Sequence, residues 1–153
     1  MADDIHILII EARYYPDISD ELLSGATAAL HAAGATFDRV EVPGVFEIPA
    51  AIRMAIAASD PAPKYDGYLV LGCVIRGETT HYDIVANESS RALQTLACEF
   101  VLALGFGVLT VENEAQAWAR ARVAEMNKGG EPARACVAMI DLNRRLRRAA
   151  HHR

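Results

Sequence analysis

The sequence predicts an α/β protein in three layers, with a parallel sheet between two sets of helices. Two observations carry this. Short apolar runs rich in β-branched residues recur along the chain, and longer stretches with helical spacing of apolar residues separate them. The resulting order, βαβαβαβαα, is the pattern of right-handed crossovers between parallel strands.

Each element has its own signal. Ile5–Ile10 is almost wholly apolar, as expected of a strand covered on both faces. From Asp17 to Ala33 a stripe of Ile18, Leu22, Ala26, Ala29, Leu30 and Ala33 predicts a helix, opened by Pro16 and closed by Gly34 in a left-handed cap. Phe37–Val42 intersperses Phe37, Val40 and Val42 with polar residues and reads as a strand nearer an edge. Pro49 starts a second helix with Ile48, Ile52 and Ile56 in register, stopped by Pro61 and Pro63. Gly67–Ile75 is a third, buried strand. Tyr82–Leu104 reads as a long helix closed by Gly105, followed by a short strand at Gly107–Thr110. Asn113 with Gln116 has the form of a capping box, and Pro132 stands in the first turn of a last helix anchored by Val137, Ile140, Leu142 and Leu146. No repeat, low-complexity segment or linker divides the chain, so residues 1–153 are expected to form one domain.

Composition narrows the class. The 153 residues are 52% hydrophobic with a formal net charge of -5, which excludes disorder. The longest stretch without a charged side chain, Leu22–Phe37, contains Ser24, Gly25, His31 and Gly34, so no membrane span is expected. Met1 is followed by Ala2, Asp3 and Asp4, unlike a secretory leader. Three cysteines, Cys73, Cys98 and Cys136, form no Cys-x-x-Cys pair, so neither a disulfide framework nor a zinc site is expected. A soluble cytoplasmic protein is the expectation. Arg144, Arg145, Arg147, Arg148 and Arg153 crowd the end of the chain, whereas residues 1–143 carry 10 basic against 20 acidic groups. That acidic remainder would repel phosphate. The arginines therefore read as complements to a helix C-terminal dipole rather than as a nucleic-acid tail.

Ligands of open α/β sheets bind beyond the carboxyl ends of the strands. Four segments fall there: Arg13-Tyr14-Tyr15, Pro43–Glu47, Arg76–His81 and Thr110–Glu112. The third is the most informative. A buried strand runs into Gly77, Thr79 and Thr80 and then a helix, and free N–H groups, hydroxyls and a helix N-terminus together suit an anion. Thr79 or Thr80 is equally readable as a plain N-cap. His81 stands beside this cradle as a proton carrier, though an isolated histidine is more often structural. His6, His31, His151 and His152 have no comparable surroundings and are assigned no function. Glu47 at a helix start can accept from hydroxyl or amide donors, or simply complements the dipole. Tyr14 and Phe46 suit stacking on a flat heterocycle. Arg120, two turns into the helix that Asn113 opens, can clamp a phosphate, although a solvated helix arginine is the commoner case.

Taken together the segments resemble the 6,7-dimethyl-8-ribityllumazine synthases, which make the immediate precursor of riboflavin. The resemblance runs from Ile7 to about Ile140. It rests on Arg13-Tyr14, Gly25-Ala26, Val42–Pro49, Gly72–Asp83, Phe106–Thr110, Glu114–Ala117 with Arg120-Ala121, and Asn127-Lys128-Gly129. It implies a flavodoxin-like architecture with a four-stranded parallel sheet in the order 2-1-3-4, rings of five subunits, and active sites shared between neighbours. The implied substrates are 5-amino-6-(D-ribitylamino)uracil and 3,4-dihydroxy-2-butanone 4-phosphate, with no metal and no organic cofactor.

The resemblance also assigns roles. Tyr14 stacks on the pyrimidine; Val45, Phe46 and Glu47 line the ribityl and ring site, with Glu47 accepting from hydroxyls. Cys73, Val74 and Ile75 present backbone groups to the pyrimidine edge. Glu78 and Thr79 form the phosphate cradle, His81 moves protons, Arg120 clamps phosphate, Lys128 supports it, and Phe106 covers the ring from an adjacent subunit. Some positions depart from the family pattern. Tyr14 replaces a usual Phe or Trp. Val45 replaces a small residue and leaves one polar ribityl contact in question. Glu78 replaces a small residue in the cradle, which suits a side chain turned outward with only its N–H offered. Ala121–Met126 lacks the glycine pattern that accompanies sixty-subunit shells, favouring a free pentamer. A receiver-type module fits poorly, because the third strand ends at Ile75-Arg76 without an acid. A nearer rival keeps the pocket but mainly binds lumazine or flavin.

Overall fold

The computed structural model describes residues 4–59 and 61–152, so Met1–Asp3 and Arg153 of the reading above lie outside it. Four strands, β1 (His6–Ala12), β2 (Thr36–Val42), β3 (Gly67–Ile75) and β4 (Leu104–Val111), form one parallel sheet in the order β2-β1-β3-β4. Five helices flank it: α1 (Pro16–Ala32), α2 (Ile48–Ala58), α3 (His81–Phe100), α4 (Glu114–Ala121) and α5 (Gly130–His151). The expected fold class and strand order are those observed.

The strand period of two divides the core between the faces. Ile7, Ile9, Leu69 and Leu71 pack beneath Ala26 and Leu30 of α1 and Ala133, Cys136 and Ile140 of α5. Leu8, Ile10, Tyr68 and Val70 face Ile48 and Ile52 of α2 and Val85 and Leu93 of α3. Each fully buried Ile or Leu contributes about 1.5–3 kcal/mol, so the two central strands carry most of the core. A third cluster, in which Ala117 and Ala121 of α4 meet Ile18, Leu22, Cys73 and Leu109, closes the carboxyl end of the sheet on the α1 side. β2 is an edge strand, as its mixed composition predicts: Phe37 packs under α1 while Val40 is exposed.

Gly34 adopts φ +72°, the Ala35 N–H bonds the Leu30 carbonyl at 3.0 Å, and the Gly34 N–H bonds that of His31 at 3.0 Å, which together form a Schellman cap. Asn113 accepts from the Gln116 N–H at 2.9 Å, but the Gln116 side chain returns to the Glu112 N–H rather than to that of Asn113, so only half of a capping box forms. One expectation is corrected. The helix predicted over Tyr82–Leu104 stops at Phe100, with Val101 in the left-handed region at φ 56° and the Leu102 N–H bonded to Ala97. β4 then begins at Leu104, three residues before the predicted strand. Gly105 is no cap. It lies inside the strand, where a Cβ would overlap the Pro132 carbonyl of α5. Smaller shifts place the starts of α1, β2, α2 and α5 at Pro16, Thr36, Ile48 and Gly130. Among the described residues, no helix is long and apolar enough to cross a membrane.

Candidate active site

Three loops meet over the carboxyl ends of β1, β2 and β3 and enclose a groove of about 470 Å³, within the range of small-molecule sites. Tyr14 enters from the turn between β1 and α1, its ring edge-on to Tyr15 at 5.0 Å and otherwise mostly exposed. After β2, Pro43-Gly44 leads into a single 3-10 turn, Val45–Glu47, that runs directly into α2. Successive side chains of this turn point about 120° apart. Val45 is buried, its Cγ2 filling the space over Gly72 where a Cβ would lie 2.7 Å away, whereas Phe46 is exposed at the groove. Glu47 occupies the N-cap position of α2 without making a cap hydrogen bond, so its carboxylate faces the groove at the positive end of a helix.

The floor is the end of β3, where Cys73, Val74 and Ile75 line the groove. Burial pushes the Cys73 thiol up to about 12, so it stays protonated and is no nucleophile at neutral pH. Burial also raises the Tyr15 phenol, the neighbouring Cys73 adding to the effect. The third wall is Gly77, Thr79 and His81 at the start of α3. Thr79 Oγ1 accepts from the His81 N–H at 3.3 Å, while Thr80, in the N-cap position, makes no cap bond. Arg76 ties this loop down. Its Nε donates to Glu112 at 2.8 Å, its Nη1 lies 3.5 Å from Asp83, and its guanidinium stacks 4.3 Å over the Tyr82 ring.

One groove therefore unites Tyr14, Val45, Phe46, Glu47, Cys73, Val74, Ile75, Thr79 and His81. Glu78 is exposed and does not line it. Tyr15, part of the strand-end segment Arg13-Tyr14-Tyr15, also lines it, as do Tyr82 and Val85, to which the sequence assigned no role. Val85 was accessible to helical spacing, being four residues beyond His81 on the same face.

Phe106, Arg120 and Lys128 lie elsewhere. They line a second groove along β4, also of about 470 Å³, walled by α4 and the first turns of α5. Arg120 Nη1 donates to the Gln116 carbonyl at 3.1 Å, and the Lys128 N–H bonds the Arg120 carbonyl at 2.8 Å, which sets the two cations side by side. Lys128 Nζ pairs with Glu131 at 2.8 Å and holds that carboxyl below its ordinary range. Phe106 is substantially exposed on the strand.

The chain matches the family model for 6,7-dimethyl-8-ribityllumazine synthase over residues 4–144. It is 61% identical over 143 residues to 6,7-dimethyl-8-ribityllumazine synthase 1 of Rhizobium meliloti (strain 1021), covering 93% of this chain and 94% of that one. It is 56% identical over 142 residues to the 6,7-dimethyl-8-ribityllumazine synthase of Agrobacterium fabrum, covering 92% and 96%. The corresponding protein of Nitrobacter hamburgensis is 54% identical over 143 residues, covering 93% and 88%. With its parallel sheet and its loop-built groove, the chain belongs to the 6,7-dimethyl-8-ribityllumazine synthase family.

Proposed function

We propose that this chain, acting as one domain, condenses 5-amino-6-(D-ribitylamino)uracil with 3,4-dihydroxy-2-butanone 4-phosphate to give 6,7-dimethyl-8-ribityllumazine, phosphate and water. The sites are completed between adjacent copies in a free homopentamer. The observation that carries the shared site is the division of chemistry between the two grooves. Among the described residues, the first has a flat-ring environment and a histidine but no lysine or arginine in its lining; the second has an arginine, a lysine and an exposed phenylalanine but no histidine. Neither is sufficient for a substrate pair of which one member is a heterocycle and the other a phosphate ester. Placing the second groove of one copy against the first of the next supplies both. A cytoplasmic location fits the three unpaired cysteines, which a reducing compartment keeps as thiols.

The chemistry asks for positioning and proton movement. The uracil amine attacks the ketone, water leaves to form an imine, phosphate departs by elimination, and ring closure expels a second water. Tyr14 and Phe46 hold the ring, Glu47 accepts from ribityl hydroxyls, and the backbone of Cys73–Ile75 meets the pyrimidine edge. His81 carries protons between the reacting atoms, while Thr79, the α3 N-terminus and a neighbour's Arg120 and Lys128 stabilise the departing phosphate. The neighbour's Phe106 covers the ring.

The decisive experiment mixes two crippled chains. His81→Ala and Arg120→Ala are each expected to be poorly active alone. Co-refolded in equal amounts, they should regain about a quarter of wild-type activity, since that share of interfaces in a mixed ring joins two intact halves. Absence of any recovery would refute the shared site. A wild-type rate no higher than spontaneous condensation, followed by lumazine absorbance, would leave only a ligand-binding role.

A further inference from the structure

The end of β1 holds a buried charge that no step above uses. Glu11 is 2% exposed, a costly place for a carboxylate unless it is fully paired. Its Oε1 accepts from Arg13 Nη1 at 2.8 Å, and its Oε2 accepts from Arg39 Nε at 2.9 Å and lies 2.9 Å from Arg39 Nη2. Arg13 reaches further: its Nη2 donates to the Asp20 carboxylate and approaches the Pro16 carbonyl at 3.5 Å. The guanidinium thus bridges from the end of β1 to the first turns of α1. The two residues beneath that bridge are Tyr14 and Tyr15, both of which line the first groove.

Packing within its own chain does little to hold Tyr14, which is 72% exposed there. Its ring is placed by its backbone, and its backbone is bracketed by Arg13. We infer that Glu11 is a positioning residue: through Arg13 it fixes the Tyr14-Tyr15 segment and so sets where the aromatic wall for the heterocycle stands. This rests on the reading of Tyr14 as that wall. The charge matters because one carboxylate anchors two guanidinium groups at once, each through its own oxygen. A neutral amide offers one acceptor oxygen, so one arginine loses its anchor. A plain clip between β1 and β2 would instead affect stability without favouring either substrate.

Steady-state kinetics of Glu11→Gln, Tyr14→Leu and the double variant test this. In Glu11→Gln, KM for the ribitylaminouracil should rise about tenfold, while kcat and KM for the ketone phosphate stay within about twofold. In the Tyr14→Leu background the same substitution should add less than about twofold, because the path through the ring is already gone. Arg13→Lys leaves the Glu11–Arg39 pair in place and should reproduce the KM split, which keeps the test available if Glu11→Gln does not fold. Full additivity of the two substitutions, or equal rises in both KM values, overturns the positioning role. Wild-type turnover above the spontaneous rate in the same series shows that such a result strikes this role and not the proposed reaction; its absence strikes the reaction itself.

Discussion

The two grooves are equal in volume and opposite in construction. The first is assembled from three loops that leave strand ends, and Glu47 at the start of α2 makes no cap bond. The second is built on a strand edge and two helices, and its cations already have partners, Gln116 for Arg120 and Glu131 for Lys128. On the proposed reading, the difference means that the fold separates proton chemistry from anion binding. Loops near a helix N-terminus can leave a titratable group uncommitted, whereas cations on a rigid edge are kept in place by carbonyl and carboxylate neighbours.

The comparison can be broken at several points. The largest effect belongs to His81→Ala, which should lower kcat by about 10- to 1000-fold with the melting temperature unchanged; an unaltered rate would remove the proton carrier from the first groove. Next is Gly105→Ala. The added Cβ meets the Pro132 carbonyl and should destabilise the fold by about 1–3 kcal/mol in chemical denaturation, because the start of α5 must shift along β4. A stability within error of wild type would show that the start of α5 yields to the added methyl group without cost. Arg120→Ala should raise KM for the phosphorylated ketone about tenfold and weaken inhibition by inorganic phosphate in step. Phosphate inhibition equal to wild type would dismiss the second groove as an anion site. The smallest effect is Cys73→Ala, with kcat within about twofold, since the thiol is held near 12 and stays neutral. In the same protein iodoacetamide near neutral pH should modify exposed Cys98 well before buried Cys73 or Cys136. Rapid loss of activity tracking Cys73 alkylation would reverse that expectation.

Much of this was legible in the sequence for identifiable reasons. β1 and β3 are apolar on both faces because helices cover both, and such runs admit few other structures. Gly34 was readable because its left-handed turn is a local event. The end of α3 was not. A β-branched residue at φ 56° is an uncommon helix stop, and Val101 occupies that seat while the nearby Gly105 offers the usual signal for a different reason, the close approach of α5. Local signals name a glycine but not what it makes room for. The site shows the same limit. Residues contiguous with a strand end, such as Val45–Glu47 and Thr79–His81, could be placed together because ligands of open α/β sheets bind beyond those ends, the resemblance adding the role of Val45. The separation of Arg120 and Lys128 from His81 depends on where α4 and α5 dock. The pairing of Glu11 with Arg39, 28 positions away, depends on the β1–β2 register. Neither is encoded within a short window.

The seating of Val45 over Gly72 carries a consequence for how such a pocket diversifies. The methyl group of one residue occupies the volume that a side chain on the other would need, so the 3-10 turn and the strand beneath it draw on a single shared allotment of space. Trimming the valine to serine opens a recess in the groove only while the strand keeps its glycine. An alanine there would refill the recess from below. Sequences built on this fold should therefore vary these two positions jointly, with bulk moving from one to the other rather than accumulating at both.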